Sequence, residues 1–321
     1  IYLAIRRPDG YVGKPPEAAT DVFHMLASPA AGSPWYRPTD FAVDMSLSRQ
    51  VTGSHNWDMG ARLIQGRRLQ FNNTNAETSG TYNQYDYNNG WNSYGSSLSG
   101  HQSWMWKRHA GFDVVAYKGY DPSGVRGIRH SLNAVPEMII LKKRDATGAW
   151  CVGHKGLNGG TNPWSYLLQL ESNGAEQQHT TAFASTAPTS TVFTVGADNC
   201  GNGTYDYLAL LFASANDADG NPISKVGSYT GNGSTTGPVI TTGFAPRLII
   251  IKAASTTGGW FLYDTVRGLA SGNDQRIQIE DPSAQYAGAD DVDPLSTGFQ
   301  LQTAWDNLNG TGSTYIYYAH A

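Results

Sequence analysis

Two stretches of the chain are apolar at every position, Met138-Ile139-Ile140-Leu141 and Leu248-Ile249-Ile250-Ile251. Each follows a proline, Pro136 or Pro246, and ends in a lysine. A run this short, rich in β-branched and long side chains, predicts a strand buried on both faces. Proline suits the start of such a strand and spoils its interior. Trp260-Phe261-Leu262-Tyr263 predicts the next strand and brings large aromatic area to a core. Asn- and Gly-rich stretches, 199–203 and 307–312, precede the apolar strands 207–213 and 315–321. They supply the positive φ angles of hairpin turns. No segment carries a long 3.6-residue stripe between caps, so little helix is expected beyond a short turn near 156–160.

The pattern repeats. Pro136 and Pro246 lie 110 positions apart, as do Trp150 and Trp260, each preceded by glycine or alanine. Gly156-Leu157 and Gly268-Leu269 follow, and each copy closes on an aromatic-aliphatic strand. A weaker copy precedes these, with Pro38 leading, Trp57 as the tryptophan and Gln102–Lys107 closing it. Repeats of this kind stack units that cannot bury their own apolar faces alone. The expected fold is therefore all-β: tandem antiparallel β-sandwich modules of about 100 residues. The boundaries read as 8–110, 111–215 and 216–321, with residues 1–7 as the last strand of an upstream module.

Charged residues make up 15% of the chain, and glycine, tyrosine and tryptophan are abundant. This is the composition of many short strands and tight turns, not of disorder. The net charge of −4 argues against a nucleic-acid partner, which needs clustered Lys and Arg. The basic clusters Arg6-Arg7, Arg67-Arg68, Lys107-Arg108 and Lys142-Lys143-Arg144 are short and read as solvated strand ends. Cys151 and Cys200 are expected as buried or half-buried thiols, with a single disulfide left open. No apolar run reaches the ~20 residues of a membrane span.

No nucleophile elbow, phosphate-cradling glycine loop or His-Glu-x-x-His motif occurs. Nothing singles out a carboxylate pair, and the histidines have no ligand spacing. Asp217-Ala218-Asp219-Gly220-Asn221 resembles half a calcium loop but lacks the later glutamate, so an inter-module linker is expected. No cofactor, metal or enzymatic activity is expected. The most unusual segment runs from Tyr82 to Tyr94, where aromatics alternate with Asn and Asp. Its Tyr82, Tyr85, Asp86, Tyr87, Trp91 and Tyr94 are candidates for contacting a carbohydrate or a partner. The alternative, which is favoured, is an aromatic loop packing on a neighbouring module or subunit.

The junction Trp104-Met105-Trp106-Lys107-Arg108-His109-Ala110-Gly111-Phe112-Asp113-Val114-Val115-Ala116-Tyr117-Lys118-Gly119 resembles module junctions in tail-fibre and other virion structural proteins of marine bacteriophages. The strand from Pro136 to Lys142, the Trp150 strand and the closing strand 315–321 are similar to those that follow in that family. The resemblance covers essentially the whole chain. It implies a virion location and a tail-fibre or tail-tip protein that contributes to host attachment. It also implies self-association, expected as a homotrimer, contact with other virion proteins, and a host surface glycan as a further partner. Two other functions are weighed: a capsid decoration protein, and a carbohydrate-active enzyme of the tailspike kind.

Overall fold

A computed structural model describes residues 14–27, 36–92, 100–119, 124–196, 200–201 and 203–321. The expected closing strand at 1–7 lies outside them. The described chain is nearly all β, 44% strand and 6% helix, arranged in six sheets.

Three large sheets repeat one topology. Each has an opening strand (Phe23–Ala27, Phe112–Lys118, Pro222–Thr230) and a second, proline-led strand (Met45–Gln50, Met138–Lys143, Leu248–Ala253). Only the latter two copies start from proline: Val43 holds that place in the first, and Pro38, expected to lead it, lies in the small-sheet strand Tyr36–Pro38. A tryptophan strand (Asp58–Ala61, Trp150–His154, Trp260–Asp264) and a fourth strand (Gly66–Gln70, Tyr166–Gln169, Asp274–Gln278) follow. An edge strand comes next (Thr78–Tyr82, Gln177–Gln178, Tyr286–Ala289) and a closing strand last (His101–Trp106, Asp206–Phe212, Thr314–His320). In every sheet the spatial order is opening, closing, proline-led, tryptophan, fourth, edge. The third sheet adds Ala215–Asn216 beyond its opening strand. Pairing within each sheet is antiparallel, and its register equates Trp106, Phe212 and His320 across the three copies.

Each large sheet is covered on its outer face by a small one. The small sheets are Tyr36–Pro38 with Gly90–Asn92, Arg126–Arg129 with Val192–Val195, and Val239–Thr241 with Gly298–Leu301 and Val292–Leu295. Burial on both faces explains the uninterrupted apolar runs. Successive side chains point to opposite faces of a strand. Met138 and Ile140 face one cluster, Ile139 and Leu141 another. Leu208, Leu210 and Phe212 face inward, Ala209, Leu211 and Ala213 outward. The first module departs from this. Its equivalent strand alternates Met45 and Leu47 with Ser46 and Ser48, and among the described residues its outer core holds five buried apolar side chains, Phe41, Val43, Tyr85, Trp91 and Met105.

The inward faces of all three sheets share one central cluster, with Trp104, Trp106, Phe212, Leu248 and Tyr318 among its members. Burying a side chain of this size contributes about 1.5–3 kcal/mol, so this cluster is the main source of cohesion. The modules do not form a row; they close into a ring around it. Trp150 Nε1 donates to the Gln70 carbonyl of the first module at 2.9 Å. Trp260 Nε1 donates to Gln169 O of the second at 3.1 Å, and Trp57 Nε1 to Gln278 O of the third at 2.7 Å. The three acceptors are the last residues of the three fourth strands. Paired backbone bonds repeat at each seam: Gly148 N to Thr74 O with Glu77 N to Arg144 O, Gly258 N to Asn173 O with Glu176 N to Ala254 O, and His55 N to Pro282 O with Gln285 N to Val51 O.

Cys151 and Cys200 form a disulfide, not two thiols, with their Cα atoms 5.8 Å apart. Cys151 leads the outward face of its tryptophan strand, and Cys200 lies just before the closing strand, so the sandwich brings two distant positions together.

Candidate functional site

The aromatic segment singled out in the sequence does not form one surface. Tyr85 and Trp91 are fully buried and stack on each other, with ring centroids 5.9 Å apart and planes 14° from parallel. They are core residues of the first module, so neither ring is open to a sugar. Alternation of aromatic and polar positions is also what a strand with one face on a core produces. Tyr85 Oη lies 2.7 Å from Ser46 Oγ, and burial pushes its phenol up. Asp86 is exposed and accepts a hydrogen bond from Gln65 Nε2 at 2.7 Å. Tyr87 is half-buried, 4.9 Å from the ring of Tyr36. The side chain of Tyr82, and Tyr94 altogether, lie outside the described residues. Tyr85→Phe should leave the Ser46 hydroxyl without its partner and lower unfolding free energy by about 1–2 kcal/mol, measurable by urea denaturation.

The seams hold buried cations. Register places Arg49, Lys142 and Lys252 at one position of the three proline-led strands. None is a solvated strand end: each is 1% exposed or less, and Lys143 beside Lys142 is buried too. Lys142 Nζ donates to Thr74 O of the first module and to Gly148 O, at 3.1 and 2.7 Å. Lys252 Nζ donates to Gly174 O of the second module and to Gly258 O, both at 2.8 Å. Arg49 Nη2 donates to Pro282 O and Ser283 O of the third, at 2.6 and 2.7 Å. Burial lowers both lysines to about 8 and Arg49 to about 10. Every ammonium or guanidinium is thus matched to backbone carbonyls of the next module.

Buried histidines sit near one end of the central cluster. The His320 ring lies 4.7 Å from Phe23 and 6.2 Å from His109. Burial lowers His320 to about 4 and drives His109 well below its ordinary value. Between pH 6.5 and about 4 the unfolded chain takes up a proton at residue 320 and the folded chain does not. Stability therefore falls as pH drops through that window, by up to about 1.4 kcal/mol per pH unit for this residue. The other copies carry Trp106 and Phe212 here. His320→Phe should accordingly flatten the acid side of the stability–pH curve by that amount. Denaturant midpoints measured across the window check this, and parallel curves for wild type and variant would count against it.

Among the described residues, the exposed large aromatics Tyr286 and Trp305 lie on the third module. An open groove of about 450 Å³ is lined by Arg276, Gln278, Ser283, Tyr286, Trp305 and Asn307, among others. Tyr286 is 56% exposed and Trp305 36%. The Arg276 guanidinium carbon sits 4.5 Å from the centre of the Tyr286 ring and 4.3 Å from that of Trp305. Its Nη1 donates to Asp291 Oδ2 at 2.8 Å. Asp291 in turn accepts from Tyr263 Oη and donates its backbone N–H to Asp274 Oδ2. Burial raises Asp274 to about 7. A buried network thus fixes the guanidinium from below. The loop carrying Ser283 is fixed from the first module by Arg49 and by the Gln285–Val51 backbone bond. Sequence reasoning missed this site because its residues are scattered. The available signal was Trp305, which stands where the second copy has Ala197.

The segment 217–221 closes on itself. Asp217 Oδ1 accepts from the backbone of Asp219 and Asn221, and Asp217 Oδ2 from Asn221 Nδ2. Among the described residues no cluster of three or more His, Cys, Asp or Glu side chains has metal-binding geometry, and no helix is long and apolar enough to cross a membrane.

Residues 73–321 match a family described as a domain of unknown function (DUF7483). No curated protein matches the chain, and no solved structure does.

Proposed function

The chain belongs to the family of domains of unknown function DUF7483, and from that starting point we propose that it is a non-enzymatic attachment protein of a bacteriophage virion, in the tail fibre or tail tip. The observation that carries the reading is the groove at Tyr286 and Trp305, an exposed aromatic recess mounted on a rigid ring. The perturbed ionisable groups at the seams support it. Their hydrogen bonds go to backbone carbonyls that join modules, an arrangement suited to rigidity and not to proton transfer. The module junctions resembling those of phage fibres supply the setting. Other virion proteins and further copies of the chain, as a homotrimer, are the proposed partners, with a host surface glycan as the target.

Oligomerisation is not required to shield the modules, since one chain already closes three of them around a common core. Immunogold labelling of purified phage particles with antibody to this chain tests the placement. Label at the tail end is expected. Label spread over the capsid shell would replace the fibre reading with a decoration protein, and unlabelled particles would remove the virion reading. Light scattering of the purified chain tests the trimer.

A further inference from the structure

We infer that the groove between Tyr286, Arg276 and Trp305 is a carbohydrate-binding site, and that the second module lacks its aromatic walls. The inference rests on the attachment reading for its biological setting, while its chemistry comes from the groove alone.

The three modules serve as internal controls for one another. Residues that build the ring recur in each copy: the seam tryptophans, the glutamines that accept from them, and the buried cations. The two exposed aromatics of the groove, Tyr286 and Trp305, do not recur in the second module, whereas Gln278 and Asn307 have counterparts there in Gln169 and Asn199. Aligned on those glutamines, Arg276 corresponds to Leu167 of the second module, which is buried, and to Arg68 of the first. Trp305 corresponds to Ala197. Relative to the second module, the third therefore carries an exposed indole in place of a methyl group and an exposed phenol in place of the Gln177 amide. The shared fold does not require either, because the second module forms the same sheet without them.

The groove's chemistry suits a sugar ring. A pyranose presents patches of C–H surface and a rim of hydroxyls. Tyr286 and Trp305 each hold one face against the Arg276 guanidinium and leave further aromatic surface exposed, which packs against apolar surface and keeps polar tips in water. Gln278, Asn307 and Ser283 line the same recess with amide and hydroxyl groups, donors and acceptors both. Arg276 adds guanidinium donors beyond the nitrogen used by Asp291. A volume of about 450 Å³ falls within the roughly 300–1,000 Å³ of small-molecule sites. The recess is also held in place before binding, by the Asp291 network beneath it and by Arg49 across the seam. Little ordering remains to oppose association.

Affinity gel electrophoresis of the full chain through gels containing a neutral polysaccharide (dextran or galactomannan) or an anionic one (alginate) tests the site. Retardation in at least one gel is expected. Trp305→Ala and Tyr286→Ala should each weaken it by about ten-fold while leaving the thermal midpoint near that of the wild type. The two exposed positions give independent variants, so a folding defect in one does not decide the result. If no gel retards the wild type, or if both variants migrate as the wild type does, the site assignment is wrong. Because binding is read on purified protein, failure of the virion placement would leave this result standing, and failure here would leave the immunogold result standing.

Discussion

Arg49→Ala is expected to lower the unfolding free energy by about 3 kcal/mol or more and to loosen the seam between the first and third modules. The guanidinium is 1% exposed, and its two shortest bonds reach Pro282 O and Ser283 O at 2.6 and 2.7 Å. Longer contacts reach Asp281 O and Gln278 O. Hydrogen bonds to charged groups contribute about 1.5–3 kcal/mol each, and the abandoned carbonyls would be left in a dry interface. The desolvation that lowers Arg49 to about 10 offsets part of the gain, which is why the estimate stays near the value for two bonds. Arg49→Lys should recover part of the loss, because lysine fills the same position in the other two modules. Urea denaturation gives the free energy, and hydrogen exchange at the Gln285 and His55 amides reports the seam. A loss below about 1 kcal/mol, within the ordinary range for one neutral hydrogen bond, would show that the cation does not hold the ring closed.

Reducing the disulfide should have a comparable effect. Cys151 and Cys200 are 49 residues apart, and releasing a loop of that length restores roughly 4 kcal/mol of chain entropy to the unfolded state. The third module manages the same region without a crosslink. Aligned on the tryptophans and on the Asp-Asn pairs, Cys151 corresponds to Phe261 and Cys200 to Leu308, both buried in that module's outer core. Cys151→Ser should therefore cost several kcal/mol, and the double variant Cys151→Phe, Cys200→Leu should cost less than the single one. Denaturation midpoints with and without dithiothreitol provide the measurement. An unchanged midpoint on full reduction would rule out a stabilising role.

The strand pattern was legible in the sequence because its cause is local. Met138 to Leu141 reads as a strand covered on both faces, and it is one. The 110-residue spacing of Pro136 and Pro246 marks two equivalent proline-led strands, and the helix content is low as expected. The ring was not legible, because its partners leave no trace in residue type. Trp57 finds the carbonyl of Gln278, and a backbone carbonyl looks the same at every position. For the same reason Lys142 reads as a strand end in water, although Thr74 O and Gly148 O enclose its ammonium. Tyr85 and Trp91 misled in another way. Their spacing among polar residues fits a sugar platform and a half-buried strand equally, and only the partner layer of Phe41, Val43 and Met105 decides between them. The groove residues Arg276, Tyr286 and Trp305 come from three separate elements that only the fold brings together.

The seam that closes the ring also constrains the order in which the chain can mature. Arg49 and Pro282 are 233 positions apart, so the first module must wait for nearly all of the third to be synthesised before its cation finds its carbonyls. Contacts of such long range make folding slow and leave apolar faces exposed in the interval. In a half-built ring Trp104, Trp106 and Phe212 face water on the side that Leu248 and Tyr318 will later cover. Each added module thus covers apolar surface of its predecessors, and the third converts a sticky, open arc into a closed ring.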